Sequence, residues 1–238
     1  MSSADCPPLA DRITKSLLGY GVIAVPFYVV TAAVQALCRD GFDPTRHAVS
    51  QLANGAFGWV QIVNFILTGI MTIAGAVGIG RALRPGRLAR WAAALLAVYG
   101  LGLIAAGILR ADPSDGFPPG TASGVARITW HGTGHLIAGG IGFACFVAAG
   151  FVIGAAFAGM NLVGWAWISR LVAFGFGAAF VFLATGAGGA VAYTLFTAAV
   201  IIAWAWLSAT SAKLYPLVGT RTCPPGSSDS LPRSPASM

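Results

Sequence analysis

Arg127-Ile128-Thr129-Trp130-His131-Gly132-Thr133-Gly134-His135-Leu136 holds two of the chain's three histidines, four residues apart. Residues 137–157, which follow, are almost wholly apolar. Such a run describes a helix that enters an apolar medium at its amino-terminal end. Side chains four apart share one helical face. Both imidazoles are therefore expected on one face, at the wet rim of that helix.

Crossing a hydrocarbon core takes about 20 apolar residues of helix. Six segments qualify, near 17–38, 59–80, 88–109, 132–157, 168–188 and 191–211. Arg170 and His135 are ionisable groups inside them, each placed close to a helix end. Composition agrees. Of 238 residues, 57% are hydrophobic and 9% charged, where a soluble domain carries about a quarter charged residues. A chain this apolar cannot cover a water-facing surface. The expected fold class is all-α: a polytopic membrane protein with six transmembrane helices in one bundle. Residues 1–15 form a cytoplasmic amino-terminal segment, 16–212 the membrane domain, and 213–238 a disordered cytoplasmic tail rich in Pro, Ser and Gly.

The net charge of +7 sits mostly in short loops and tails, so it reads as a topology signal and not as a nucleic-acid footprint. With the amino terminus inside, the inner segments hold ten of the Lys and Arg residues and the outer loops hold four, Arg39, Arg46, Arg110 and Arg127. Cytoplasmic loops carry the excess. Both termini are therefore expected in the cytoplasm of a bacterial inner-membrane protein whose partners are membrane lipids. Trp59 and Trp130 fall at outer ends, and Trp91, Trp165, Trp167, Trp204 and Trp206 toward inner ends, as two interfacial belts would. Cys6, Cys38, Cys145 and Cys223 form no CxxC pair, which predicts neither a disulfide framework nor a cysteine–metal site. The first apolar segment runs past twenty residues without a small-x-small cleavage site and reads as a retained anchor.

Polar chemistry is one-sided. The basic turn at 81–87 is a positive-inside determinant that also meets anionic headgroups. The outer loops hold Asp43, Arg46, His47, Ser50, Asp112, Asp115 and Arg127, and the fourth helix opens with His131 and His135. Asn64 lies one turn into the second helix and is expected to face this outer site. Gln35, Gln61, Thr68 and Thr72 read instead as interhelical hydrogen-bond partners. A His-x-x-x-His pair with His47 and Asp112 supplies the residue types of a tetrahedral zinc site. With one position left to water, such a site activates that water for hydrolysis, and Ser50 or Asp115 would serve in acid/base or orienting roles. Each residue also has a plainer reading. Asp before Pro, as at Asp43 and Asp112, initiates turns. Ser50 suits the N-cap of a short interfacial helix. Arg46 and Arg127 suit pairing with Asp43 and Asp112, or a phosphate headgroup.

The stretches 42–52 (Phe42-Asp43-Pro44-Thr45-Arg46-His47 onward), 58–69, 111–120 and His131-Gly132-Thr133-Gly134-His135 resemble, in order, the membrane family known as domain of unknown function 998. The resemblance spans about 17–211. It implies an integral membrane protein of bacteria or archaea with about six helices, and it implies no activity. Ser, Asp and three His also occur in zinc-dependent membrane hydrolases related to alkaline ceramidase. Here the order along the chain differs and a seventh helix is missing, so that likeness is chemical and carries no roles over.

The reading that follows is a polar outer site of His47, Asp112, His131 and His135 for a small ligand, a metal (zinc) or a lipid headgroup. Ligand candidates beside it are Asp43, Arg46, Ser50, Asn64 and Arg127. The alternatives are a metal-dependent hydrolase of a lipid-like substrate, and a structural or partner-binding subunit with no site.

Overall fold

A computed structural model describes residues 8–124 and 127–219. Six helices are long and apolar enough to cross a membrane: α1 Leu9–Cys38, α2 Gly58–Ala82, α3 Arg87–Ile108, α4 Trp130–Gly159, α5 Val163–Ala184 and α6 Gly189–Leu214. A 3-10 turn, Val49–Ala53, lies in the α1–α2 loop, and a second, Tyr215–Leu217, follows α6. No strand occurs among the described residues.

Each helix packs on its chain neighbours, and α6 returns to α1, so the bundle closes as a ring. Alternating direction puts the 39–57, 109–129 and 185–188 connections on one face. The short 83–86 and 160–162 connections and both ends of the bundle lie on the other. Small residues let the backbones meet, because lipid supplies no hydrophobic drive and close van der Waals packing must hold the helices. A Cβ on Gly69 would sit 2.6 Å from the Gly100 carbonyl oxygen of α3, and a Cβ on Gly75 would sit 2.8 Å from Gly21 Cα of α1.

The middle of the ring is aromatic. Tyr28 stacks on Trp204 with centroids 4.9 Å apart. Tyr99 meets Phe146 at 4.9 Å, and Phe146 meets Trp206 at 5.6 Å. Trp204 and Trp206 are only 2% and 4% exposed. This corrects their expected place in an interfacial belt. On a helix apolar all round, no polar stripe marks the inward face, and these two indoles turn inward, Trp206 donating to Ser169 Oγ at 3.1 Å. Trp59, Trp130, Trp91 and Trp167 are exposed at helix ends, as a belt requires.

Helix bounds differ from expectation at two places. α1 starts at Leu9, eight residues before the expected apolar span, because its first turns run on beyond it. There Arg81 Nε donates to Thr14 Oγ1 at 2.9 Å and ties α2 to the extension. α5 starts at Val163 and ends at Ala184, earlier than 168–188, since Gly186 takes φ +68° and breaks the helix. Arg170 therefore lies two turns inside α5, its guanidinium 5.5 Å from the Trp167 ring. Of the tail expected to be disordered at 213–238, the first residues are helical, as the end of α6 and the turn Tyr215–Leu217, which corrects that bound; residues 220–238 lie outside the described residues.

Candidate functional site

The two long loops close over the ends of α1, α2 and α3 around Phe117, which is fully buried. Phe42 meets its ring edge-on at 5.2 Å, His47 lies at 5.5 Å, and the Arg39 guanidinium covers it at 5.3 Å. Arg39 follows the last turn of α1. It donates to the Leu52 carbonyl at 3.1 Å and the Asn54 carbonyl at 2.6 Å, which fixes the 3-10 turn to α1. Asn54 Nδ2 then donates to the Ala111 carbonyl at 3.0 Å, and Gln51 Nε2 to Ser114 Oγ at 2.6 Å. Each of these last two bonds ties the first loop to the second. Partial burial lowers the Arg39 pKa from its ordinary value.

His47 is the keystone of this cap and is 2% exposed. Its Nδ1 accepts from the Asp43 backbone N–H at 2.9 Å. Its Nε2 lies 3.2 Å from the Asp115 carbonyl. An N–H donor on one side and a carbonyl acceptor on the other assign the neutral ring with its hydrogen on Nε2. The Asp115 carbonyl is aimed there by a tight turn. Asp115 and Gly116 both take positive φ, +52° and +88°, and Phe117 N donates back to the Ser114 carbonyl at 3.0 Å. Asp-Gly suits that conformation.

Asp43 starts its own turn. Its Oδ1 accepts from Thr45 Oγ1 at 2.6 Å and Thr45 N at 2.9 Å. Those two bonds, the hydroxyl's first, hold the Asp43 carboxyl below its ordinary pKa. The turn-forming reading of Asp43-Pro44 thus accounts for this carboxylate. Asp112 does a longer-range job. Its two oxygens accept from Thr129 N at 2.9 Å and Thr129 Oγ1 at 2.6 Å. Thr129 is the N-cap of α4, its hydroxyl accepting from Gly132 N at 3.1 Å. A Cβ at Gly132 would overlap the Asp112 carboxylate. The glycine therefore lets an acid sit against the positive end of the α4 dipole.

The paired histidines part company. His135 is buried, and its Nδ1 lies 2.8 Å from the Leu109 carbonyl and 3.3 Å from that of Ala106. Carbonyls only accept, so Nδ1 carries the hydrogen and closes the open carbonyls at the end of α3. His131 is exposed and lies against the exposed Trp130 ring. Arg46 and Arg127 are exposed, and Ser50 is half-buried within the 3-10 turn, whose N-cap is Ala48. Asn64 is 1% exposed and faces inward, donating to the Tyr28 carbonyl and to Gln61 Oε1, both at 3.2 Å.

His47, Asp112, His131 and His135 are thus spread over three separate tasks and the rim. Among the described residues no three His, Cys, Asp or Glu side chains stand together as a metal would need. As placed, these residues do not fit zinc. Four residues that sequence patterns did not single out, Arg39, Gln51, Asn54 and Phe117, hold the cap. Arg39 directly follows an apolar span, but Asp40 stands beside it in the sequence, and its carbonyl partners lie 13 and 15 positions on. Phe117 had no signal beyond its position between turn residues.

The fold and cap define an all-helical, multi-pass membrane protein whose loops are locked on one face. The chain belongs to the family described as protein of unknown function (DUF998), whose model matches residues 22–213. No curated protein and no solved structure matches it.

Proposed function

We propose that this chain is a structural membrane subunit that self-associates along α5 and α6. The carrying observation is an apolar groove of about 640 Å³ between those helices. Its lining includes the small residues Gly175, Ala178, Ala179, Ala198 and Ala199. Beside it, Trp167, Leu171, Phe174 and Val181 form an exposed ridge on α5. Their 4-3-7 spacing is that of a left-handed helix pair. A ridge next to a small-residue groove is self-complementary under a two-fold axis along the membrane normal. Small residues at such a contact are what membrane helices use to associate.

The other readings draw less support. A polar His/Asp site for a ligand, a metal or a headgroup, or a zinc-dependent lipid hydrolase, needs His47, His135 and Asp112, which already serve the cap, the end of α3 and the start of α4, and His131, which lies apart at the rim. The excess of Lys and Arg on the face away from the cap supports an orientation with both termini in the cytoplasm of a bacterial inner membrane.

The test is energy transfer between amino-terminally labelled copies in vesicles as the protein is diluted with lipid. Transfer above the random-proximity level is expected to persist in the wild type. It should be lost in Gly175→Leu/Ala199→Leu, which fills the groove with side chains that lipid tolerates. Wild-type transfer that falls to the random level on dilution would refute self-association.

A further inference from the structure

On the face opposite the cap, α3 opens with Arg87-Leu88-Ala89-Arg90-Trp91. Arg87, Arg90, Trp91 and Ala94 are spaced i, i+3, i+4 and i+7, so they share one helical face. Together they line a groove of about 350 Å³.

The neighbouring arginines are already committed. Arg84 Nη1 donates to the Gly159 carbonyl at 2.8 Å, which ties the 83–86 connection to the last residue of α4. Arg81 Nε is held by Thr14 Oγ1, and its Nη2 donates to the Ala10 carbonyl at 3.2 Å. Arg87 and Arg90 are different. Both side chains are exposed, and neither guanidinium has a hydrogen-bond or ion-pair partner among the described residues. Like charges one turn apart on a helix repel unless an anion lies between them.

Two free guanidiniums thus share one groove with an indole that is 56% exposed and with the Ala94 methyl. From the helix end inward the order is charge, indole, apolar surface. An anionic glycerophospholipid has the same order: phosphate, ester level, acyl chain. Guanidinium forks match phosphate oxygens two at a time, and tryptophan favours the ester level of a bilayer. We propose that Arg87, Arg90 and Trp91 form a binding site for one anionic glycerophospholipid, with the phosphate between the guanidiniums and an acyl chain along Trp91 and Ala94. The site is independent of self-association, since it lies on α3 and uses no residue of α5 or α6.

The experiment is native mass spectrometry of the full-length detergent-solubilised protein with palmitoyl-oleoyl phosphatidylglycerol or phosphatidylcholine at equal concentration. Wild type is expected to retain phosphatidylglycerol about tenfold better, the scale of attraction that clustered basic residues show for acidic lipid. Arg87→Gln/Arg90→Gln should abolish that preference. Arg12→Gln/Lys15→Gln removes equal charge from the same face and should leave it intact. Trp91→Ala should weaken retention of both lipids. An unchanged preference in the Arg87/Arg90 variant overturns the site. An equal loss in the Arg12/Lys15 variant also overturns it, by showing diffuse attraction only. Displacement of the lipid, mole for mole, by glycerol 3-phosphate would show a site for a free phosphate ester and overturn the lipid assignment.

Discussion

The Gln35 amide of α1 donates to Gln61 Oε1 of α2 at 2.8 Å, at a depth where neither group meets water. Gln35 Nε2 also donates to the Thr31 carbonyl, and Gln61 Oε1 also accepts from Asn64. Both amide orientations are thereby fixed. What remains is complementary: Gln35 Oε1, an acceptor, and Gln61 Nε2, a donor, are buried and without partners. The pair fixes the register of α1 on α2 below the cap, where glycine contacts alone would let the helices slide.

This bond is expected to carry a measurable coupling. Interhelical hydrogen bonds in membranes average about 0.6 kcal/mol and reach about 1.7 kcal/mol. A double-mutant cycle with Gln35→Leu and Gln61→Leu, read by unfolding in detergent, should give a coupling in that range. The double variant should lose little, because two leucines leave no orphaned amide. Strict additivity of the two single changes would show that the bond contributes nothing.

The two exposure extremes among the histidines give the second prediction. His47→Ala removes both ring bonds and opens space beside Phe117. It should cost roughly 2–4 kcal/mol, as large-to-small changes at buried positions do. Limited proteolysis within residues 39–57 should accelerate. His131→Ala removes an exposed ring and should change stability by less than about 0.5 kcal/mol. Stoichiometric metal in the wild-type protein that His131→Ala releases would instead restore the zinc reading.

The six helices were legible because a 20-residue apolar run has few other physical solutions. The polar concentration in the 39–57 and 109–129 loops was legible for the same reason, since charge is confined to what lies outside lipid. What those polar residues do was not. His47 is satisfied by main-chain groups of Asp43 and of Asp115, 68 positions away. A backbone carbonyl has no sequence signature, so a histidine that bonds to one looks the same as a histidine that waits for a metal. His131 and His135 share a spacing, yet a buried end of α3 takes one and the rim takes the other. The Gln35–Gln61 bond was foreseeable in kind, as interhelical bonding of amides in lipid, whereas Asn64 was expected to look outward and joins that inner network. Trp204 and Trp206 were misplaced because hydropathy along α6 is uniform.

Asp43 gives a pH dependence with a definite sign. Its folded pKa is depressed by the Thr45 hydroxyl and amide. Its contribution is therefore fully present above the unfolded value and fades as pH falls through the lower, folded one. Opening of the 39–57 loop should rise as pH drops below about 4, the ordinary carboxylate value. Asp43→Asn keeps an acceptor oxygen for Thr45 but has nothing to titrate, so its acid limb should be flatter. Hydrogen exchange of the Thr45 amide reports this directly. Identical acid limbs in the two proteins would assign the loop's acid response to another group.

The α2–α3 crossing supplies the sharpest stability contrast. Gly69 and Gly100 face each other, and a Cβ on Gly100 would meet the Gly69 carbonyl oxygen at 2.8 Å and Ile73 Cγ1 at 2.7 Å. Backbone cannot yield as a flexible side chain can, so Gly100→Leu must push the helices apart. Overpacking of this kind costs roughly 1–3 kcal/mol or more. On α4, a Cβ added to Gly139 would meet nothing within 4 Å. Gly139→Leu there should be neutral or mildly stabilising, because leucine favours both helix and lipid. The two variants carry the same chemical change, so their difference in unfolding midpoint isolates the contact. Equal destabilisation by both would mean that the loss comes from the glycine itself and not from the α2–α3 approach.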